Sequence, residues 1–150
     1  MENRHWEDLQ PLRIPCGWTV RLHKLRCGEP AELPAEDGRW LFCYTEDILQ
    51  LQADLRRRRD HRTETQQLTV DLGWYPDGDP AGAFRLAAVL DGDWERPLLA
   101  FTSRSETAVV ETLEHWLHRE LMPLRYIEDA EAFRKNLPAR RRNTREECAR

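Results

Sequence analysis

Apolar and polar residues alternate with period two along three consecutive stretches within residues 68–103. In the first, Leu68, Val70, Leu72 and Trp74 fall on one side, with Thr69, Asp71 and Tyr75 on the other. Phe84, Leu86, Ala88 and Leu90 repeat the pattern, and Leu98, Ala100 and Thr102 oppose Leu99, Phe101 and Ser103. Such alternation predicts half-buried strands. Residues 76–82 (PDGDPAG) and Asp91-Gly92-Asp93 separate them with turn residues. The pattern therefore predicts an antiparallel meander with two acidic loops.

Further strands are expected on the N-terminal side. Trp18, Val20 and Leu22 alternate with Thr19, Arg21 and His23 across residues 17–25, and residues 39–44 form a short aromatic strand. Residues 28–38 hold two prolines, two glycines and four acids and read as a loop. Residues 45–55 fit a helix capped by Thr45, or a strand in which Leu49, Leu51, Ala53 and Leu55 alternate with polar residues. Flanking strands favour the strand. Arg56, Arg57, Arg58 and Arg59 open a run without apolar residues, which predicts a solvated, mobile loop up to Gln67. Trp6, Leu9 and Leu12 suggest a short helix over residues 2–13.

The clearest helix is at residues 105–121. Val109, Val110, Leu113, Trp116, Leu117 and Leu121 recur at helical spacing, Ser103 and Glu106 fit a capping box, and Pro123 ends it. A last short helix is expected over residues 127–137, followed by a frayed tail at 138–150. The fold class is thus α+β: an antiparallel sheet of about five strands with one long C-terminal amphipathic helix on a face.

The 150-residue length suits a single domain at residues 1–137, and 40% apolar content with six tryptophans argues against disorder. No apolar run reaches the ~20 residues of a membrane span, and no apolar segment follows the first residues as in a signal peptide. A cytoplasmic location is expected, with no membrane contact and with its four cysteines as thiols. Cys16 and Cys43 read as buried packing residues. The net charge of −4 is uneven. Seven basic residues against two acidic ones from Arg134 onward leave −9 on residues 1–133. An acidic body repels nucleic acid and attracts basic partners.

No nucleophile, phosphate-loop or dinucleotide motif is present. Counting an EF-hand from Asp77 puts Ala81 and Ala88 where ligands belong, so calcium is not expected. His115 and His118 lack a third ligand by spacing, and no metal or cofactor is assigned. Six acids, namely Asp71, Asp77, Asp79, Asp91, Asp93 and Glu95, face one base, Arg85, between residues 71 and 95. Trp is enriched among interface anchors. The candidate partner-binding residues are therefore Asp77, Asp79, Asp91, Asp93, Trp94 and Glu95, with Trp74 or Tyr75 as a further apolar anchor. Because the two loops bracket one strand, they should lie about 20 Å apart, and the one carrying Trp94 should dominate. The alternative is phosphate contact by Arg56, Arg57, Arg58 and Arg59.

Residues 39–52 (RWLFCYTEDILQLQ), 70–82 (VDLGWYPDGDPAG) and 93–104 (DWERPLLAFTSR) resemble a family of small bacterial immunity proteins. These accompany Rhs-type and wall-associated polymorphic toxins, and the similarity spans residues 17–121. The Arg-rich insertion at 56–62 and the basic tail depart from the pattern, and no family site residues carry over. The resemblance implies a non-enzymatic protein that binds and blocks a cognate protein toxin domain, basic and possibly a nuclease. Two alternatives stand beside it: a nucleic-acid-associated accessory protein using the Arg-rich run and tail, and an enzyme of unrecognised type.

Overall fold

A computed structural model describes residues 6–59 and 61–125, with the side chains of residues 57–59 and 125 left aside. The helix expected over 127–137, the tail at 138–150 and the C-terminal end of the expected domain lie outside the described residues.

Five strands form one antiparallel sheet in sequence order: β1 (Thr19–His23), β2 (Leu49–Arg59), β3 (Arg62–Tyr75), β4 (Ala83–Leu90) and β5 (Leu99–Ser103). The expected meander is present, and residues 49–55 are strand. The period-two pattern sets the register: Val70 opposes both Leu51 and Ala88, and Leu72 opposes both Leu49 and Leu86. One face therefore carries Leu49, Leu51, Leu68, Val70, Leu72, Trp74, Phe84, Leu86, Ala88 and Leu99, all essentially excluded from solvent.

Helix α2 (Glu106–His115) continues as a wider turn over Trp116–Glu120 and packs on that inner face. Val109, Leu113, Trp116, Leu117 and Leu121 enter the core. The capping box differs from the expected one. Ser105, not Ser103, is the N-cap and accepts from Ala108 N at 3.2 Å. Glu106 then falls one residue into the helix, too early to reach back to the cap. The remaining amides are satisfied from a distant loop: the Glu29 carboxylate accepts from the backbone of Glu106 (2.9 Å) and Thr107 (2.8 Å). In return the Glu106 carboxylate accepts from Gly28 N at 2.8 Å. An acid at a helix N-terminus is favoured by the peptide dipoles.

The rest of the core is aromatic. The strand expected at residues 39–44 is instead a one-turn helix, α1 (Trp40–Cys43). Asp37 accepts from Arg39 N at 2.9 Å and ion-pairs with its guanidinium at 2.8 Å, fixing the entry. Trp40 and Tyr44, four apart, then turn inward together with ring centroids 4.5 Å apart, and Tyr44 meets Trp74 at 4.9 Å. A strand would have pointed successive aromatic residues to opposite faces. The expected N-terminal helix is absent from residues 6–13. This segment runs beside residues 25–27, exchanging Gln10 N to Leu25 O and Cys27 N to Asp8 O at 2.8 Å each. Trp6 Nε1 donates to the Tyr44 hydroxyl at 2.8 Å. Edge strand β1 shifts register between Val20 and Leu22, so Val20 opposes the buried Leu51 but Leu22 opposes Gln50, and Val20 itself is half exposed. Cys16 is exposed, Cys43 half-buried and Cys27 buried. Among the described residues no helix is long and apolar enough to cross a membrane.

The mobile loop expected after Leu55 is replaced by strand. β2 runs through Arg59 and β3 begins at Arg62, with Arg56 opposite Thr65 and Arg57 opposite Glu64. β1 pairs no further than Gln52 and β4 no further than Leu68. Residues 54–59 and 62–67 thus form a two-stranded ribbon that extends about 20 Å past its neighbours. Among the described residues, Leu55 is its last in the core; Arg56 and residues 62–65 are exposed, so this part carries no apolar stripe to read.

Candidate functional site

The site is built on the outer face of the sheet, where β3 offers Thr69, Asp71, Gly73 and Tyr75, and β4 offers Arg85, Ala87 and Val89. Thr69, Ala87 and Val89 are buried even on this face. The connection from β4 to β5 explains how the site closes. Asp91 and Gly92 take φ of +51° and +69°, which an Asp-Gly pair tolerates, and Asp93 N donates to Leu90 O at 3.1 Å. The chain reverses there. Trp94, Glu95 and Pro97 then stand with Asp71, Tyr75, Arg85 and Ala87 around a cavity of about 260 Å³. Trp94 is 50% and Tyr75 38% exposed.

Residues 45–48 pack beside β3 next to this site. Trp74 N donates to Thr45 O at 2.8 Å, and Ile48 N to Leu72 O at 3.0 Å. This brings the Glu46 carbonyl over Gly73, where a β-carbon would lie 2.1 Å from its oxygen. Only glycine permits that approach. Glu46 and Asp47 are thereby held beside the face. Burial, then the nearby Asp47 carboxylate, pushes Asp71 up from the usual carboxylate range to about 6, against a hydrogen bond from Gln50. Burial also raises Tyr75, helped by Asp71 and Glu46 and opposed by Arg85.

The six candidates of the acidic loops separate by role. Asp77 accepts from Glu46 N at 3.2 Å, and Asp79 accepts from Ala81 N at 2.8 Å. The Asp79 carbonyl takes the Trp74 indole N–H at 2.7 Å. Arg104 binds the carbonyls of Pro80 and Gly82 while lying over the Trp74 ring. Asp91 accepts from Gln67 N at 2.8 Å and so extends the ladder between β3 and β4. These three aspartates hold turns. Asp93 is half-buried beside its turn, whereas Trp94 and Glu95 face the cavity. Trp74 is fully buried and cannot be a surface anchor; Tyr75 can.

Sequence reasoning did not assign Asp71, Arg85 or Asp47 to a site. Asp71 could have been found as the one carboxylate on the polar side of a strand otherwise buried. It also missed Leu41 and Phe42, which are 68% and 74% exposed on α1 because Trp40 and Tyr44 take the inward positions. Leu41 lies against Gly78 of the first acidic loop. Arg56 is exposed on the ribbon, with Arg57, Arg58 and Arg59 following on the same strand. Among the described residues no group of three or more His, Cys, Asp or Glu side chains could hold a metal ion. No protein-family model, no curated protein and no solved structure matches this chain.

Proposed function

We propose that this protein is a non-enzymatic inhibitor that binds and blocks a basic cognate toxin domain through the outer face of its sheet. The observation that carries this reading is Trp94, half exposed at the mouth of a cavity whose lining includes Asp71 and Glu95. Tryptophan is enriched among interface hot spots, and acids beside it suit a basic partner. The surplus of negative charge on residues 1–133 would steer a basic partner toward it. The resemblance to immunity proteins points the same way. Occlusion of an active site requires no catalytic group in the inhibitor.

The direct test is capture of a toxin domain, sought in the gene adjacent to the one for this protein, followed by association and dissociation rates at two ionic strengths. Asp93→Lys with Glu95→Lys should slow association and flatten its salt dependence, and Trp94→Ala should speed dissociation. Unchanged rates in both variants, with folding intact, would remove the interface from this face.

A second reading rests on the ribbon. Arg56, Arg57, Arg58, Arg59 and Arg62 lie on paired strands, and a two-stranded ribbon fits the major groove of duplex DNA. Salt-dependent binding to plain RNA or DNA, lost in a variant with these arginines changed to serine, would favour that reading.

A further inference from the structure

Resting on the docking reading above, we propose that the outer-face cavity is the seat of a single arginine side chain presented by the docking partner. Size, charge and shape lead to the same ligand. At about 260 Å³ the cavity lies below the ~300–1,000 Å³ of sites that enclose a whole small molecule, and far above the ~30 Å³ share of one water. That is room for one long side chain. Two carboxylates, Asp71 and Glu95, line it against one guanidinium, Arg85. Asp47 lies close enough to act on Asp71, so the local balance is negative. Two aromatic rings, Trp94 and Tyr75, complete the lining.

A planar guanidinium is the cation that uses all of these groups. It stacks on an aromatic face while donating in its plane to carboxylates, and it sheds water more readily than an ammonium. Arg85 bounds the cavity from β4 and acts on Tyr75. Its charge opposes a second cation, so it limits affinity rather than supplying it. The arrangement therefore makes an unusual demand: removing one basic residue should tighten binding of a basic ligand.

The experiment is a titration of the intact, isotope-labelled protein with L-arginine amide, following the Trp94 indole N–H and the backbone amides of Ala87 and Glu95. L-citrulline amide, its neutral counterpart, and L-lysine amide serve as controls. A saturable shift is expected with arginine amide, weaker with lysine amide and absent with citrulline amide. Glu95→Gln should weaken binding about tenfold, Trp94→Ala roughly threefold, and Arg85→Ala should strengthen it. Equal shifts with citrulline amide, no saturation, or weaker binding in Arg85→Ala would overturn the proposal. Should Trp94→Ala fail to fold, Glu95→Gln and Arg85→Ala still decide, since both positions are exposed. If arginine amide binds while the toxin domain is not captured, the cavity assignment stands and the docking reading falls. If the toxin domain is captured but arginine amide fails to bind, the arginine seat falls and the docking reading remains.

Discussion

The two acidic loops flanking β4 are similar in composition and opposite in use. The first, at residues 76–82, is built from the inside. The Trp74 indole donates to Asp79, Arg104 binds two of its carbonyls, and Asp77 and Asp79 accept backbone amides. The second, at residues 91–97, is tied at its start by Asp91 to Gln67 and then lays Trp94 and Glu95 along the outer face. Both contain tryptophan chemistry, but in one the indole is buried and supports the loop, and in the other it is half exposed and lines a cavity. Loop acidity alone therefore does not mark a binding surface. What separates the loops is where the indole lies: Trp74 is fully buried beneath the first, whereas Trp94 of the second is half exposed on the outer face.

The largest difference is expected between alanine variants of the two tryptophans. Trp74→Ala should cost about 3–5 kcal/mol, because it empties a fully buried aromatic site and strands the Asp79 carbonyl. Trp94→Ala should stay within about 0.5 kcal/mol, as for exposed positions. Urea unfolding of both variants checks the contrast, and similar losses would show that Trp94 supports the fold. Next in size, Arg104→Ala should destabilise by about 1–3 kcal/mol, since two loop carbonyls lose a charged donor. Asp91→Ala should cost about 1 kcal/mol, from the lost bond to Gln67 N and the φ of +51° it must still adopt.

The smallest expected effect is the pH dependence that Asp71 of β3 brings to the outer face. Asp71 is raised from the ordinary carboxylate value to about 6, so the folded protein holds this proton more tightly than the unfolded chain. Between about pH 4 and 6 the native state binds more protons, and this group's contribution to stability falls as pH rises through that window. The charge acting on Asp71 is that of Asp47, while Glu46 and Arg85 act on the neighbouring Tyr75 and Glu95 lines the same cavity. Asp71→Asn should flatten this part of the pH–stability profile and raise stability near neutral pH. An unaltered slope in Asp71→Asn would place the titration elsewhere.

Much of the sheet was legible in the sequence because burial was one-sided. Leu68, Val70, Leu72 and Trp74, like Phe84, Leu86, Ala88 and Leu90, write their inner face as period two, and α2 writes its own at helical spacing. One error has a plain physical cause: alternation reports which face is buried, and is silent where no face is. The ribbon beyond Leu55 has its ladder of backbone pairs, but Arg56 and residues 62–65 are exposed, so its arginines resembled a loop. At residues 39–44 the opposite occurred. Aromatic content suggested a strand, while the four-residue spacing of Trp40 and Tyr44, both inward, belonged to a helical turn. The cavity was half legible. Trp94, Glu95 and Tyr75 were within reach of sequence argument, but that two ends of β4 could contribute to one site was not. The separation of about 20 Å along a strand still holds for the turns themselves. The second loop overcomes it by folding back along the sheet.

The central claim is that the outer face around Trp94, and not the arginine ribbon, meets the partner. Amide hydrogen exchange on this protein with and without the proposed toxin partner tests it most directly. Protection is expected in residues 83–98 and at Tyr75, with residues 56–67 exchanging as in the unbound protein. Protection confined to residues 56–67, with residues 94–98 unchanged, would contradict the account.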